Sequence, residues 1–200
     1  MSISIKNLGC TNYVATWQNM KDFIDQSPIK DELWITEHKP IFTTGVNKKN
    51  SAPPKGDIPH LFVDRGGKVT YHGPGQLVFY MVLDLRKRNR DIKKLINLIE
   101  NSIIQTLADF KIKTFPDRKN IGIWYKNKRS IEKVASIGIK VKKWIAYHGF
   151  AINVSNDLDE YNKIIPCGIS NRKVTNLNKI KKHNYKLLSK TLINRFLSNL

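Results

Sequence analysis

A mixed α/β (α+β) fold, a mixed sheet with flanking helices, is the architecture that this sequence predicts. Three observations predict it. Short runs of alternating apolar residues recur along the 200 residues, as in half-buried strands. Several such runs are separated by only a few polar residues, as in hairpins. Helical patterns interrupt them irregularly rather than in strict alternation, which favours a mixed sheet over a purely parallel one. No internal repeat, linker or low-complexity stretch divides the chain, so one domain over residues 1–200 is expected.

The elements follow in order. Ile3-Ser4-Ile5 alternates and predicts a first strand. Tyr13, Trp17, Met20, Phe23 and Ile24 fall near helical spacing, predicting a helix over 13–24 that stops before Ser27-Pro28. Strands are predicted at 33–36 and 41–44, and Gly45 closes that pair. Residues 47–59 read as a loop around Ala52-Pro53-Pro54. Residues 64–76 read as a glycine-rich turn region carrying Arg65, Lys68 and His72, and a largely apolar strand follows at 77–85.

Asp91 is the expected N-cap of a helix over 92–110, where Leu95, Ile99, Ile103 and Leu107 recur every four residues as a core-facing stripe. Strands are predicted at 121–125, 134–141 and 144–154. One helical turn is expected at 157–161, and a terminal helix at 185–197.

Composition narrows the function classes. With 40% hydrophobic and 10% aromatic residues the chain is globular rather than disordered. No apolar run reaches the roughly 20 residues of a membrane span, and residues 1–9 lack the features of a signal peptide, so a cytoplasmic protein with no membrane partner is expected. Two cysteines, Cys10 and Cys167, without a Cys/His cluster give neither a zinc pattern nor a disulfide framework; no metal and no cofactor are expected. Cys10 reads as a buried apolar cysteine.

The net charge of +19 raises the question of nucleic acid. Lysine accounts for 27 of the 35 basic residues, beside 25 isoleucines and 19 asparagines, a skew that points to A/T-rich coding rather than to a recognition surface. No RNA-binding motif accompanies it. Residues 161–200, with nine Lys or Arg and no Asp or Glu, could still steer an acidic protein partner.

The candidate chemistry centres on residues 130–168. Cys167 stands between Pro166 and Gly168, a constrained loop that could present a thiol. Lys133 opens an apolar alternating run. A partly buried lysine beside a thiol would stabilise the thiolate and could accept and return protons. Such a pair suits acyl transfer, in which the thiolate takes an acyl group from a thioester and an amine removes it. The two residues are 34 apart, so only the fold can unite them. His72 or His148 could instead serve as the base of a Cys-His pair, or be hydrogen-bonded structural residues. His38, His60 and His183 read as structural or solvated. No phosphate loop is present.

Four blocks carry a family resemblance. They are Arg65-Gly66-Gly67-Lys68-Val69-Thr70-Tyr71-His72-Gly73-Pro74-Gly75-Gln76-Leu77, Lys133-Val134-Ala135-Ser136-Ile137-Gly138-Ile139, His148-Gly149-Phe150-Ala151-Ile152-Asn153-Val154 and Ile165-Pro166-Cys167-Gly168. In order and spacing the set resembles the octanoyltransferases of protein lipoylation, and with flanking similarity it covers most of residues 33–169. Met81 and Ile121 stand where that family often has proline.

The resemblance implies a fold related to biotin and lipoate protein ligases. It implies transfer of an octanoyl group from acyl carrier protein to a lysine of lipoyl domains, in 2-oxoacid dehydrogenases and the glycine cleavage H protein, by a monomer. It makes Cys167 the acyl-accepting nucleophile and Lys133 the residue that lowers its pKa and moves protons. It makes Arg65 to His72, Ser136, Ile137 and Gly138, and His148, Gly149, Phe150 and Ala151 the acyl site. Glycines there would line the slot and offer N–H donors to the oxyanion. An ATP-dependent lipoate or biotin ligase, and a basic nucleic-acid-binding module, are the alternatives.

Overall fold

The computed structural model describes residues 3–26, 30–47, 53–164 and 173–200. Its centre is a sheet built in antiparallel steps. Strands β6 (Gln76–Asp84) and β10 (Ile145–Asn153) pair antiparallel in the middle. On one side of them lie β2 (Glu32–His38) and then β1 (Ser4–Thr11), which pairs parallel with β2. On the other side follow β9 (Ile131–Lys142), β8 (Ile123–Lys126) and β7 (Thr114–Pro116), with the short β11 (Lys173–Val174) parallel to β9. A separate small sheet contains β3 (Ile41–Thr44), with β4 (His60–Phe62) parallel and β5 (Val69–His72) antiparallel to it.

The period-two pattern sorts the side chains of the sheet. On β6, Phe79, Met81 and Leu83 face one core, while Val78, Tyr80 and Val82 face the other. The first core lies under α2 (Ile92–Asp109) and α4 (Leu188–Asn199), and the second lies under α1 (Tyr13–Asp25). Asp91 caps α2, its Oδ1 accepting from Lys94 N at 2.9 Å. Asn12 caps α1 in the same way through Ala15 N. The helix α3 (Leu177–Ile180) is a single turn. Among the described residues no helix is long and apolar enough to cross a membrane.

The sequence-based elements are all present where they are described, with three informative differences. The first strand runs on to Thr11 and is an exposed edge, so Cys10 is exposed rather than a buried apolar thiol. The glycine-rich region contains the strand β5, with turns confined to residues 64–68 before it and 73–75 after it. Trp144 belongs to the β9–β10 turn, not to the strand: Lys143 and Trp144 both take positive φ, 50° and 65°, the geometry a two-residue hairpin requires. The short strands β4 and β7 offered too few alternating residues to be read.

Candidate functional site

The candidate site grows from a fault in the pleat of β9. Between β8 and β9 the register slips, Ile123 pairing with Ala135 but Trp124 with Lys133. Val134 is the extra residue, so both Val134 and Ala135 face the α2 core. Lys133 and Ser136, on either side of that pair, therefore share the opposite face, as a β-bulge dictates. Without the bulge, Lys133 and Ser136 would lie on opposite faces of β9.

Lys133 is 4% exposed. Its Nζ donates to Ile121 O at 3.0 Å and lies 4.9 Å from the centroid of the Trp124 ring. Burial of an ammonium is costly unless it is met by acceptors, and a carbonyl with an aromatic face meets this one. Lys119, Asn120 and Ile121 border the same cavity.

That cavity, of about 620 Å³, lies over β6, β10 and β9. Two rows of its floor follow from the pairing: Val78, Ala151 and Ser136 in one, Tyr80, Gly149 and Gly138 in the next. Small residues at the centre of each row leave space above the sheet. Gly138 has a particular reason to be glycine, since a Cβ would fall 2.9 Å from Gly66 O. At Gly149 a Cβ would fall 2.0 Å from Phe79 O. In both places backbone approaches too closely for any side chain.

The turn after β4 covers this floor, and Arg65 holds it. The guanidinium, buried, donates from Nη2 to Thr43 O and Oγ1 at 2.8 Å and to Lys68 O at 2.9 Å, and from Nη1 to Gly66 O at 2.9 Å. Gly66 N donates to Ile139 O at 3.0 Å, stitching the turn to β9. This N–H is thus already engaged, and it is not available to an oxyanion as the sequence reading expected. Arg65 organises the turn rather than presenting a free fork to a ligand.

The other end of the cavity is a buried polar wall of Tyr13, His72, Tyr80 and His148. His148 takes φ of 62°, and its Nε2 donates to Asp64 Oδ1 at 2.8 Å. Asp64 also accepts from Trp17 Nε1 at 2.9 Å and from the Tyr147 hydroxyl. Burial alone would raise the Asp64 pKa, but the bonds from His148, Tyr147 and Trp17 prevail and hold it well below the usual carboxylate range. Burial lowers the pKa of His148 despite that anion.

Burial likewise brings His72 down to about 3, helped by the charges of His38 and Arg65, and its Nδ1 donates to Gln76 Oε1 at 2.7 Å. His38, behind the wall, accepts from the Tyr80 hydroxyl at 2.8 Å, and burial lowers it to about 4. These imidazoles are neutral near pH 7.

Of the residues singled out in the sequence, Arg65, Gly66, Gly67, Lys68, Val69, Thr70 and His72 border the cavity. So do Lys133, Ser136, Ile137, Gly138, His148, Gly149, Phe150 and Ala151. Tyr71 does not: the alternation of β5 turns it the other way, against Phe42 and Tyr161. Cys167, with Ile165, Pro166 and Gly168, lies outside the described residues. His148 pairs with Ile139, six positions along β9 from Lys133, which separates the two backbones by roughly 20 Å. Those two groups do not meet.

Asp64, Tyr13, Tyr80, Trp124 and Asn120 escaped the sequence reading. Only Asp64 carried a signal there, as an acidic residue beside the Arg65 turn; the others look like ordinary core or loop positions.

Residues 12–197 match the lipoyl protein ligase A/B catalytic domain family. An octanoyltransferase of Saccharophagus degradans is 43% identical over 178 residues, covering 88% of this chain and 81% of the relative. One of Rickettsia felis is 42% identical over 188 residues, covering 90% and 89%. Among solved structures, lipoate-protein ligase A bound with ATP superposes with a TM-score of 0.78 at 18% identity, over 100% of this chain and 85% of that one. A biotin protein ligase from Aquifex aeolicus gives 0.56 at 14% identity, over 100% and 68%. The fold is that of the lipoate and biotin ligases.

Proposed function

The chain belongs to the octanoyltransferase family, and on that premise we propose that it moves an octanoyl group from acyl carrier protein to a lysine of lipoyl domains through an acyl-enzyme on Cys167. Relatives above 40% identity over most of the chain carry the octanoyl transfer itself. The observation that carries the mechanism is Lys133, a buried ammonium turned by a β-bulge onto a cavity floored by small residues.

In the first half-reaction the Cys167 thiolate attacks the donor's thioester carbonyl and the carrier's thiol leaves, taking its proton from the ammonium of Lys133. In the second, the acceptor amine attacks the Cys167 thioester, an amide forms, and the proton lost by the amine returns to Lys133. Thioester aminolysis runs downhill without ATP. Each methylene placed in the slot contributes about 0.8 kcal/mol, so attraction alone discriminates neighbouring chain lengths only about fourfold. Length selection then falls to the closed polar end at Tyr13, His72, Tyr80 and His148. The basic stretch 161–200 supplies a field for an acidic carrier or acceptor domain. In this proposal the enzyme acts as a cytoplasmic monomer.

Intact mass after mixing the protein with octanoyl-acyl carrier protein tests it. One octanoyl adduct on Cys167, discharged by a lipoyl domain, is expected, and Cys167→Ala should form none. No adduct, with lipoyl-domain modification that requires ATP and free octanoate, would move the chain to the ligases.

A further inference from the structure

We propose that Trp124 is a positioning residue for Lys133, holding the ammonium in the orientation that proton transfer needs. The inference rests on the reading of Lys133 given above. Trp124 is 1% exposed and sits across from Lys133 in the β8–β9 register, at the bulge itself. It acts on the lysine in two ways at once. Its ring lies 4.9 Å from Nζ, an attraction strengthened where water is scarce. Its indole N–H donates to Asn120 O at 2.9 Å.

The second contact matters because the next carbonyl in the chain, Ile121 O, is the one that accepts from Lys133 Nζ at 3.0 Å. Asn120 is further tied to Asp117, through N to Asp117 O at 3.1 Å and Nδ2 to Oδ2 at 3.1 Å. Gly122 then passes so close, at φ of 140°, that a Cβ would lie 2.6 Å from Lys133 Cε. The indole thus fixes the face beneath the ammonium and the carbonyl beside it. A long flexible side chain would otherwise sample many rotamers. A buried indole N–H needs an acceptor in any case; what is particular here is that its acceptor adjoins the carbonyl that holds Lys133 Nζ.

The test is a double-mutant cycle on the acylation step, followed by intact mass with octanoyl-acyl carrier protein as donor. Trp124→Leu removes both contacts, Trp124→Phe keeps a ring without the N–H, and each is made with Lys133 and with Lys133→Ala. Trp124→Leu is expected to slow acylation at saturating donor about tenfold while KM stays within about twofold. Trp124→Phe should recover part of that loss. In the Lys133→Ala background Trp124→Leu should cost nothing more, because the two substitutions remove the same interaction.

An equal loss in both backgrounds would reduce Trp124 to packing and overturn the proposal, as would an unaltered rate in Trp124→Leu. A Lys133→Ala protein as fast as the parent would overturn the reading of Lys133 and this inference with it. Should Trp124→Leu fold poorly, Trp124→Phe carries the same cycle with a smaller expected loss.

Discussion

The two ends of the cavity handle charge in opposite ways. At one end the Lys133 ammonium is buried, and a carbonyl and an aromatic face compensate it in place. At the other, burial lowers the pKa of the imidazoles of His72 and His148, and the anion kept nearby, Asp64, is held by three donors. In the mechanism proposed above, one end keeps a proton close to the reacting atoms and the other presents a neutral wall to the apolar tail. Desolvation is common to both, so what differs is the partner supplied. Reactivity and selectivity can then be altered separately.

The largest effect that would break this contrast is Lys133→Ala. Octanoyl transfer should fall about a thousandfold, the scale of a lost proton-transfer group, with the folded state retained. Single-turnover acylation checks it, and a loss under about tenfold would deny the lysine end its chemical role.

The neutral wall makes its own prediction about stability. Free imidazoles take protons below about pH 6.5, whereas His38 does so only near 4 and His72 near 3. The unfolded chain therefore binds more protons across that interval, and stability falls as pH falls from about 6.5 toward 4. His72→Gln should remove about 1.4 kcal/mol per pH unit from that slope, as measured by denaturant unfolding at several pH values. An unchanged slope would mean that the wall is not neutral because of burial.

His148→Ala should sharpen the contrast from the substrate side. Opening the wall is expected to raise KM for the octanoyl donor about tenfold with little change in kcat, if His148 meets the tail rather than the reacting atoms as proposed. A matching fall in kcat would place it in the chemistry. Asp64→Asn gives the smallest effect. The carboxyl's depressed pKa contributes stability that is present above about pH 4 and lost as pH falls through the folded value. The substitution should flatten the acid limb below about pH 4 in the same unfolding series, where histidine substitutions leave a separate signature.

Much of this arrangement was legible in the sequence, for identifiable reasons. The stripe of Leu95, Ile99, Ile103 and Leu107 has a period that only a helix satisfies, and α2 buries those residues. The glycines at 66, 138 and 149 signal close backbone approach, and at each one backbone does approach. The positive φ of His148 was not legible, because left-handed geometry at a non-glycine residue is imposed by its surroundings, here Asp64 and Met20, whose sulfur accepts from His148 N at 3.3 Å. Trp124 was equally silent, since a buried tryptophan beside an apolar run looks like core until the partner of its N–H is known. Asp64 looked like a loop residue because its three partners come from residues far along the chain.

The bulge at Val134 also makes the site depend on counting. Side-chain identity along β9 could be conserved throughout, yet pairing β9 with β8 in strict alternation at the same length, with no residue bulged out, would put Lys133 and Ser136 on opposite faces. The lysine would point into the layer under α2 while the floor of the cavity stayed in register with β10. Register in this short segment is therefore as much a determinant of the site as any side chain in it.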